Sequence, residues 1–271
     1  MELPRLQPGV RGPVHRNRPP VDVGGAAGVD RFRPGDGVIT ALRSGAELAL
    51  VADRAALELA DATAEEILRW AADEFGNGLA VTASMQDTVL AHLASKALPG
   101  IDVLFLETGY HFVETIGTAD AVEAVYDVKL RRLLPLQTVA EQDAQYGKDL
   151  FARDPDLCCA LRKVAPLNRA LTGYEAWATG VRRAESPTRA NTPVVAFDVK
   201  RGKVKIAPLA AWSDDDVDAY IIKNNVLVNP LLSADYPSIG CEPCTRRVLP
   251  GQDSRAGRWA GLAKTECGIN T

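Results

Sequence analysis

Histidine is scarce in this chain: 271 residues hold only His15, His92 and His111, scattered along the sequence. A histidine-rich catalytic zinc site, which needs several imidazoles converging, is thereby set aside. Long apolar runs are missing too. Nothing approaches the ~18 uncharged residues of a membrane span, and no basic-then-apolar segment opens the chain as a signal peptide would. These absences lead to the expectation of a cytosolic protein with no membrane partner. There structural disulfides are rare, and grouped cysteines more often bind metal or do chemistry. An excess of positive charge is also lacking. At a net charge of −4 the chain as a whole would repel a polyanion, so nucleic acid is not an expected partner. No internal repeat is present.

What the chain does have is 46% apolar residues, ample for a core. Its length suits one large α/β domain with decorations, or two small ones. Positive charge is concentrated in two stretches. Residues 160–190 carry Arg162, Lys163, Arg169, Arg182, Arg183 and Arg189 against Glu175 and Glu185. Residues 241–267 carry Arg246, Arg247, Arg255, Arg258 and Lys264 against three acids. An anionic small ligand accounts for this better than nucleic acid does, and solvated basic loops are the bland alternative.

Residues 1–37, rich in Pro, Gly and Arg without an apolar period, read as disordered, and the extension is taken to end near residue 45. Thr63 and Glu66 form a capping box ahead of the apolar stripe Ile67, Leu68, Ala71, Ala72 and Phe75. Strands are expected at 79–82, 101–106 and 127–130, with helices over about 88–98 and 113–126 between them. Further strands are expected at 176–179, 194–197 and 204–206, and a helix from the Ser213 cap to about Lys223. Strands alternating with helices imply βαβ units and a doubly wound, mostly parallel α/β sheet. Residues 46–240 then form the α/β domain, and 241–271 a cysteine-bearing tail belonging to it. Ligands of such sheets bind beyond the strand carboxyl ends. Residues 82–88, with Ser84, and residues 107–111, with Thr108 and Gly109, stand there; for each, a plain connecting turn is the equal alternative.

Five cysteines remain. Cys158 and Cys159 are adjacent, 81 residues separate them from Cys241 and Cys244, and Cys267 lies near the end. Four thiolates in two tight pairs suit zinc or an iron–sulfur cluster. Adjacent residues project about 100° apart on a helix, an awkward convergence on one ion. A cubane offers separate iron corners, which favours a [4Fe–4S] cluster over zinc, with a vicinal disulfide behind both. Cys267 reads as a nucleophile on a mobile tail, the alternative being an inert small residue. An unassisted thiol, with a pKa near ~8.5, is only a few per cent thiolate at neutral pH. Arg255, Arg258 or Lys264 would have to lower that value.

Several stretches together resemble the iron–sulfur branch of the phosphoadenylyl-sulfate reductase family, the assimilatory adenylyl-sulfate reductases. They are Cys158-Cys159 with Arg162-Lys163, Cys241-Glu-Pro-Cys244, and Lys264-Thr-Glu-Cys267-Gly. Glu107-Thr-Gly-Tyr-His-Phe-Val-Glu-Thr, Thr179-Gly-Val-Arg-Arg-Ala-Glu-Ser-Pro-Thr-Arg189 and Arg255-Ala-Gly-Arg-Trp259 add to them. The resemblance spans roughly residues 60–271 in consistent order.

It implies an adenine-nucleotide α-hydrolase-like (Rossmann-like, PP-loop) fold. Residues 82–88 stand where pyrophosphatase relatives carry a glycine-rich loop. No glycine is present there, so a close backbone approach to a β,γ-pyrophosphate is not provided. The resemblance also implies one [4Fe–4S] cluster on Cys158, Cys159, Cys241 and Cys244, and Cys267 as the catalytic nucleophile. Arg182, Arg183, Arg189, Arg255 and Arg258 would bind the anion, Lys163 would lie between cluster and substrate, and Ser84, Thr108 and Gly109 would help hold the nucleotide. The implied reaction is reduction of adenosine 5′-phosphosulfate to sulfite and AMP through an S-sulfocysteine, with thioredoxin or a similar dithiol protein as reductant. Reduction of the 3′-phosphorylated nucleotide is the near alternative. A non-catalytic zinc- or cluster-bearing nucleotide sensor is the distant one. A PP-loop enzyme acting on tRNA would want glycines near Ser84 and a basic chain. Two positions depart from the family pattern. Glu107 stands where many members have Asp, and Asn270 where the tail usually has His; asparagine is neither a titrating base nor a cation.

Overall fold

The computed structural model describes residues 42–270; the extension expected at the amino end lies, up to residue 41, outside the described residues. Short runs rich in Val, Ile and Leu make the strands Leu79–Ala83 (β1), Ile101–Leu106 (β2) and Val128–Leu133 (β3). Ala176–Ala178 (β4), Val195–Asp198 (β5) and Lys203–Ile206 (β6) complete one sheet of order β3-β2-β1-β4-β6-β5. Every pairing is parallel except β5 with β6, whose connection turns through Gly202 at φ +66°. A connection that short forces antiparallel pairing, because a parallel one needs a crossover of a dozen residues or more.

Nine α-helices are formed among the described residues: α1 Gly45–Glu58, α2 Ala64–Phe75, α3 Val89–Ala97, α4 Val113–Val125 and α5 Val139–Tyr146, then α6 Leu150–Arg153, α7 Pro155–Cys159, α8 Ala165–Leu171 and α9 Asp214–Asn224. Ser44, Thr63, Thr138 and Ser213 each cap a helix with a reciprocal acid three residues on. The helix α1 was not among the expected elements. Its Ser44–Glu47 box is the same signature as Thr63–Glu66, and its Leu48, Val51, Ala52 and Ala55 are buried in the core. Between α7 and α8, residues 160–164 form a π-helical turn directly after the cysteine pair. Such turns are uncommon and recur at functional sites.

β1 lies centrally. The chain winds from it through β2 to β3 on one side, then crosses back to place β4, β6 and β5 on the other. Connections leaving β1 and β4 therefore diverge at their carboxyl ends, the topological switch point where doubly wound sheets bind ligands. No helix among the described residues is long and apolar enough to cross a membrane.

The loop after β1 is held by a distant segment. Met85, fully buried, has a left-handed φ of +61°, a conformation that costs a non-glycine residue about 1 kcal/mol or more. Asn229, also fully buried, steadies it: Nδ2 donates to the Met85 carbonyl and to Thr115 Oγ1, each at 3.0 Å, while Oδ1 accepts from the Leu231 amide at 3.0 Å. The Asn229 amide donates to the Gln86 carbonyl at 2.9 Å. Replacing Asn229 by Ala removes three side-chain bonds and strands buried partners. Urea unfolding of the Asn229→Ala protein should show a loss of about 2–4 kcal/mol; a loss below about 1 kcal/mol contradicts this role.

Candidate active site

A cleft of about 1180 Å³, counted to its open mouth, occupies the switch point. Its walls come from Thr82 on β1 and Ser84, Gln86 and Asp87 after it, from Leu104–Leu106 on β2, from Thr179–Val181 after β4, and from Ser238–Gly240. One wall is apolar: Leu90, Ala91 and Phe105 line it, and His111 stacks on Phe105 with ring centroids 5.0 Å apart. Burial lowers the His111 pKa, favouring a neutral ring that bonds the Leu106 carbonyl through Nε2 at 2.7 Å. Asp87 is pushed up by desolvation, offset in part by the Val89 amide and Arg182.

The opposite wall is cationic. Arg189 holds Glu266 through two nitrogens, each at 2.7 Å, and Glu185 at 2.5 Å. Burial alone would lower Arg189, but these carboxylates raise it beyond its ordinary value. Glu266 in turn is kept below the usual carboxylate range, Arg189 outweighing the upward push of burial. Arg255 reaches Glu266 at 3.7 Å and the Thr265 carbonyl at 3.1 Å. Arg258 donates to Ser238 Oγ at 3.3 Å and to the Ile239 carbonyl at 3.2 Å, and lies 4.6 Å above the Trp259 ring. Its buried Nε has no partner. Desolvation, then the nearby Arg255, lowers its pKa. An anion in the cleft would relieve both penalties. Gly240 permits this placement, because a Cβ there would meet the guanidinium carbon at 2.6 Å.

Beyond this wall the four remaining thiols gather. Cys158, Cys159 and Cys241 are buried and Cys244 half-buried. They line one small pocket with Tyr110, Arg162 and Lys163. Thr108 Oγ1 lies 3.3 Å from Cys241 Sγ, and Arg162 donates to the Thr108 carbonyl at 2.5 Å and to Gln142 Oε1 at 3.1 Å. Burial first, then the neighbouring cysteines, raises Cys158 to about 12 and Cys244 to about 11. Thiols so crowded resist ionisation without a cation among them. Among the described residues no three His, Cys, Asp or Glu side chains converge closely enough for a single metal ion. Sulfur donors contributed by two separate segments around one pocket are chemically suited to an iron–sulfur cluster.

Lys163 borders both spaces, the cleft and the thiol pocket. Its own burial would lower its pKa, yet the sulfurs of Cys241, Cys267 and Cys159 raise it overall, so it stays an ammonium. Cys267 is half-buried on the cleft wall, between Glu266 and Asn270, which also line it.

The fold thus brings Ser84, Lys163, Arg189, Arg255, Arg258 and Cys267 to one cleft. Four residues expected against the substrate are not on its wall. Thr108 and Gly109 turn toward the thiol pocket. Gly109, at φ +74°, makes room for Arg162, whose Nη2 would be 3.1 Å from a Cβ. Arg182 points to Asp214 at 2.7 Å, and Arg183 to the Thr192 carbonyl at 2.9 Å. The loop lets only its third arginine, Arg189, enter. Glu266 was not singled out from the sequence, although its position beside Cys267 and the local excess of arginine were a signal that the chain supplies its own counter-charge.

A parallel sheet whose switch-point cleft is lined by cations marks a nucleotide-binding α/β protein, and the thiol pocket one lysine away adds sulfur chemistry to that class. Comparison with known proteins narrows this. The phosphoadenosine phosphosulfate reductase domain matches residues 78–247. A Streptomyces coelicolor protein named adenosine 5′-phosphosulfate reductase is 66% identical over 228 residues, 84% of this chain and 97% of that protein. A Mycolicibacterium smegmatis protein of the same name is 60% identical, with 83% of this chain and 95% of that protein covered. The crystal structure of a phosphoadenylyl-sulfate reductase from Candida auris, a phosphate complex, superposes with a TM-score of 0.61 at 30% identity, covering 71% of this chain and 94% of that one. The chain belongs to the phosphoadenosine phosphosulfate reductase family.

The Gly240 contact gives a test of the cationic wall. A Gly240→Ala protein must move Arg258 from its place over Trp259. Calorimetric titration with AMP should show binding weakened about tenfold, as for one charge-assisted bond lost; unchanged AMP affinity would mean that Arg258 does not face the anion.

Proposed function

We propose that the protein reduces adenosine 5′-phosphosulfate to sulfite and AMP, with Cys267 as the nucleophile. The observation that carries this reading is the half-buried Cys267 at the wall of a cleft shared with Lys163, Arg189, Arg255 and Arg258. The names of the Streptomyces and Mycolicibacterium relatives support the choice of nucleotide. The apolar wall at Phe105 suits a purine, and the cations suit a phosphosulfate. Arginines neutralise the charge that would otherwise repel an anionic nucleophile and stabilise charge developing on the leaving phosphate.

The Cys267 thiolate attacks the sulfate sulfur. An S–S bond forms, the S–O bond to the phosphate breaks, and its electron pair leaves with AMP. The product is S-sulfocysteine at position 267. A thiolate of a dithiol protein such as thioredoxin then attacks Cys267 Sγ, and sulfite departs with the S–S pair. The second thiol of that protein resolves the mixed disulfide, so the reductant is oxidised by two electrons and the Cys267 thiolate returns. The Lys163 ammonium, on the shared wall, holds the anion and the thiolate together.

Cys158, Cys159, Cys241 and Cys244 are the residues proposed to hold one [4Fe–4S] cluster. When bound, it would supply negative charge and rigidity beside Lys163. Thr108 and Arg162 brace that pocket from behind.

Two outcomes test the reading. Cys267→Ser should abolish sulfite release while AMP binding stays within about twofold, and mass spectrometry of wild-type protein mixed with the nucleotide should find a sulfite-sized adduct on the tail peptide. Sustained sulfite release by the Ser variant ends the assignment. Protein purified without oxygen should be brown and carry about four iron and four sulfide per chain. A colourless zinc protein would remove the cluster from the account. The Candida auris relative is named for the 3′-phosphorylated nucleotide, and competing the two nucleotides in the sulfite assay separates these substrates.

A further inference from the structure

Lys205 has no part in the chemistry above, yet it is a half-buried cation within reach of the catalytic tail. It stands on β6, with Nζ 5.1 Å from the centre of the Trp177 ring. That ammonium donates to the Asn270 carbonyl at 2.9 Å. The Asn270 side chain meets a second group, accepting from Thr179 Oγ1 at 3.3 Å. Asn270 therefore docks through its main chain on Lys205 and through its side chain on Thr179, three residues beyond Cys267. On the other side of Cys267, Glu266 is held by Arg189 and Arg255.

We infer that Lys205 is a positioning residue of the nucleophile: by holding the main chain at Asn270 it keeps Cys267 at the cleft. A bond to a carbonyl is indifferent to the side chain at position 270. Docking therefore survives in a chain that carries Asn there, and an imidazole is not needed for it.

The charged groups facing Lys205 come from three elements. Asp198 and Arg201 lie on β5 and its turn, Arg189 on the loop after β4, and Glu266 on the tail; Thr271 lies outside the described residues. Burial, with Arg201 and Arg189, lowers Lys205 to about 8 against the partial support of Asp198 and Glu266. The sign follows from that depression. The ammonium, and with it the charge-assisted bond, is present below about 8 and is lost as pH rises through that value.

The test has one arm independent of activity and one that rests on the proposed reduction. Alkylation of Cys267 by iodoacetamide at pH 7, followed on the tail peptide by mass spectrometry, should be about tenfold faster in Lys205→Met than in wild type. Lys205→Arg should restore the slow rate, and Asn270→Ala, which spares the carbonyl, should change it far less. In the sulfite assay Lys205→Met should lower kcat with little effect on nucleotide KM. The wild-type alkylation rate relative to Lys205→Arg, whose cation persists, should rise between pH 7 and 9 as the Lys205 ammonium is lost. Equal alkylation in wild type and Lys205→Met overturns the inference, as does an Asn270→Ala tail as loose as that of Lys205→Met. Should Lys205→Met fail to fold, a ratio of wild-type to Lys205→Arg alkylation that stays constant from pH 7 to 9 overturns it instead. A wild type that makes no sulfite while Lys205→Met frees the tail defeats the proposed reaction and leaves the docking role standing.

Discussion

Lys163, Arg189, Arg255 and Arg258 border one partly buried cleft, and Lys205 lies just beyond Arg189. Cations taken out of water repel each other and lose hydration, so the arrangement persists only where opposite charge is supplied close by. Glu185 and Glu266 answer Arg189, Glu266 also approaches Arg255, and the cysteine sulfurs, when ionised, answer Lys163. Arg258 receives least, as its lowered pKa and unpartnered Nε record. The proposed phosphosulfate substrate would supply the opposite charge that Arg258 lacks. Much of the local architecture, including the closure of the tail, can be read as the means of keeping these cations together.

The tail has two functions in that pattern. It brings a sulfur to the cleft, and it brings Glu266 as a counter-anion for the arginines on either side. Lys264 contributes a further tie, pairing with Asp156 on the helix that carries Cys158 and Cys159. The segment carrying Cys267 is thus tied to the thiol-bearing helix as well as to the cleft. This is a physical route by which order in the pocket is felt at Cys267 without any bond between them.

The backbone around the pocket is as specialised as its side chains. A π-helical turn follows the adjacent cysteines and carries Arg162 and Lys163. The widened turn changes the angular step from one residue to the next, and Lys163 ends up facing the cleft and the thiols at once. The loop after β1 solves a different problem. Lacking glycine, it places Met85 in a left-handed conformation and relies on Asn229, 144 residues away in sequence, to hold it.

Periodicity and capping residues in the sequence were enough to determine the six strands and the helices α2, α3, α4 and α9, because each depends on short-range patterning: Thr63 with Glu66, or the apolar run 101–106. The helix α1 carries the same kind of signal in Ser44 and Glu47, but its stripe of Leu48, Val51, Ala52 and Ala55 directly follows a segment without apolar pattern, which obscures it. The grouping of the cysteines and the surplus of arginine near them were legible as well. What only the tertiary structure decided was direction and partnership. Arg182 and Arg189 lie seven residues apart in one basic loop, yet one pairs with Asp214 and the other with Glu266. Composition cannot distinguish them, because the energy of a charge depends on what folding brings within a few ångströms. For the same reason Lys205, an ordinary strand lysine in the sequence, became an anchor for the chain's last residues only when β6 was laid beside the cleft.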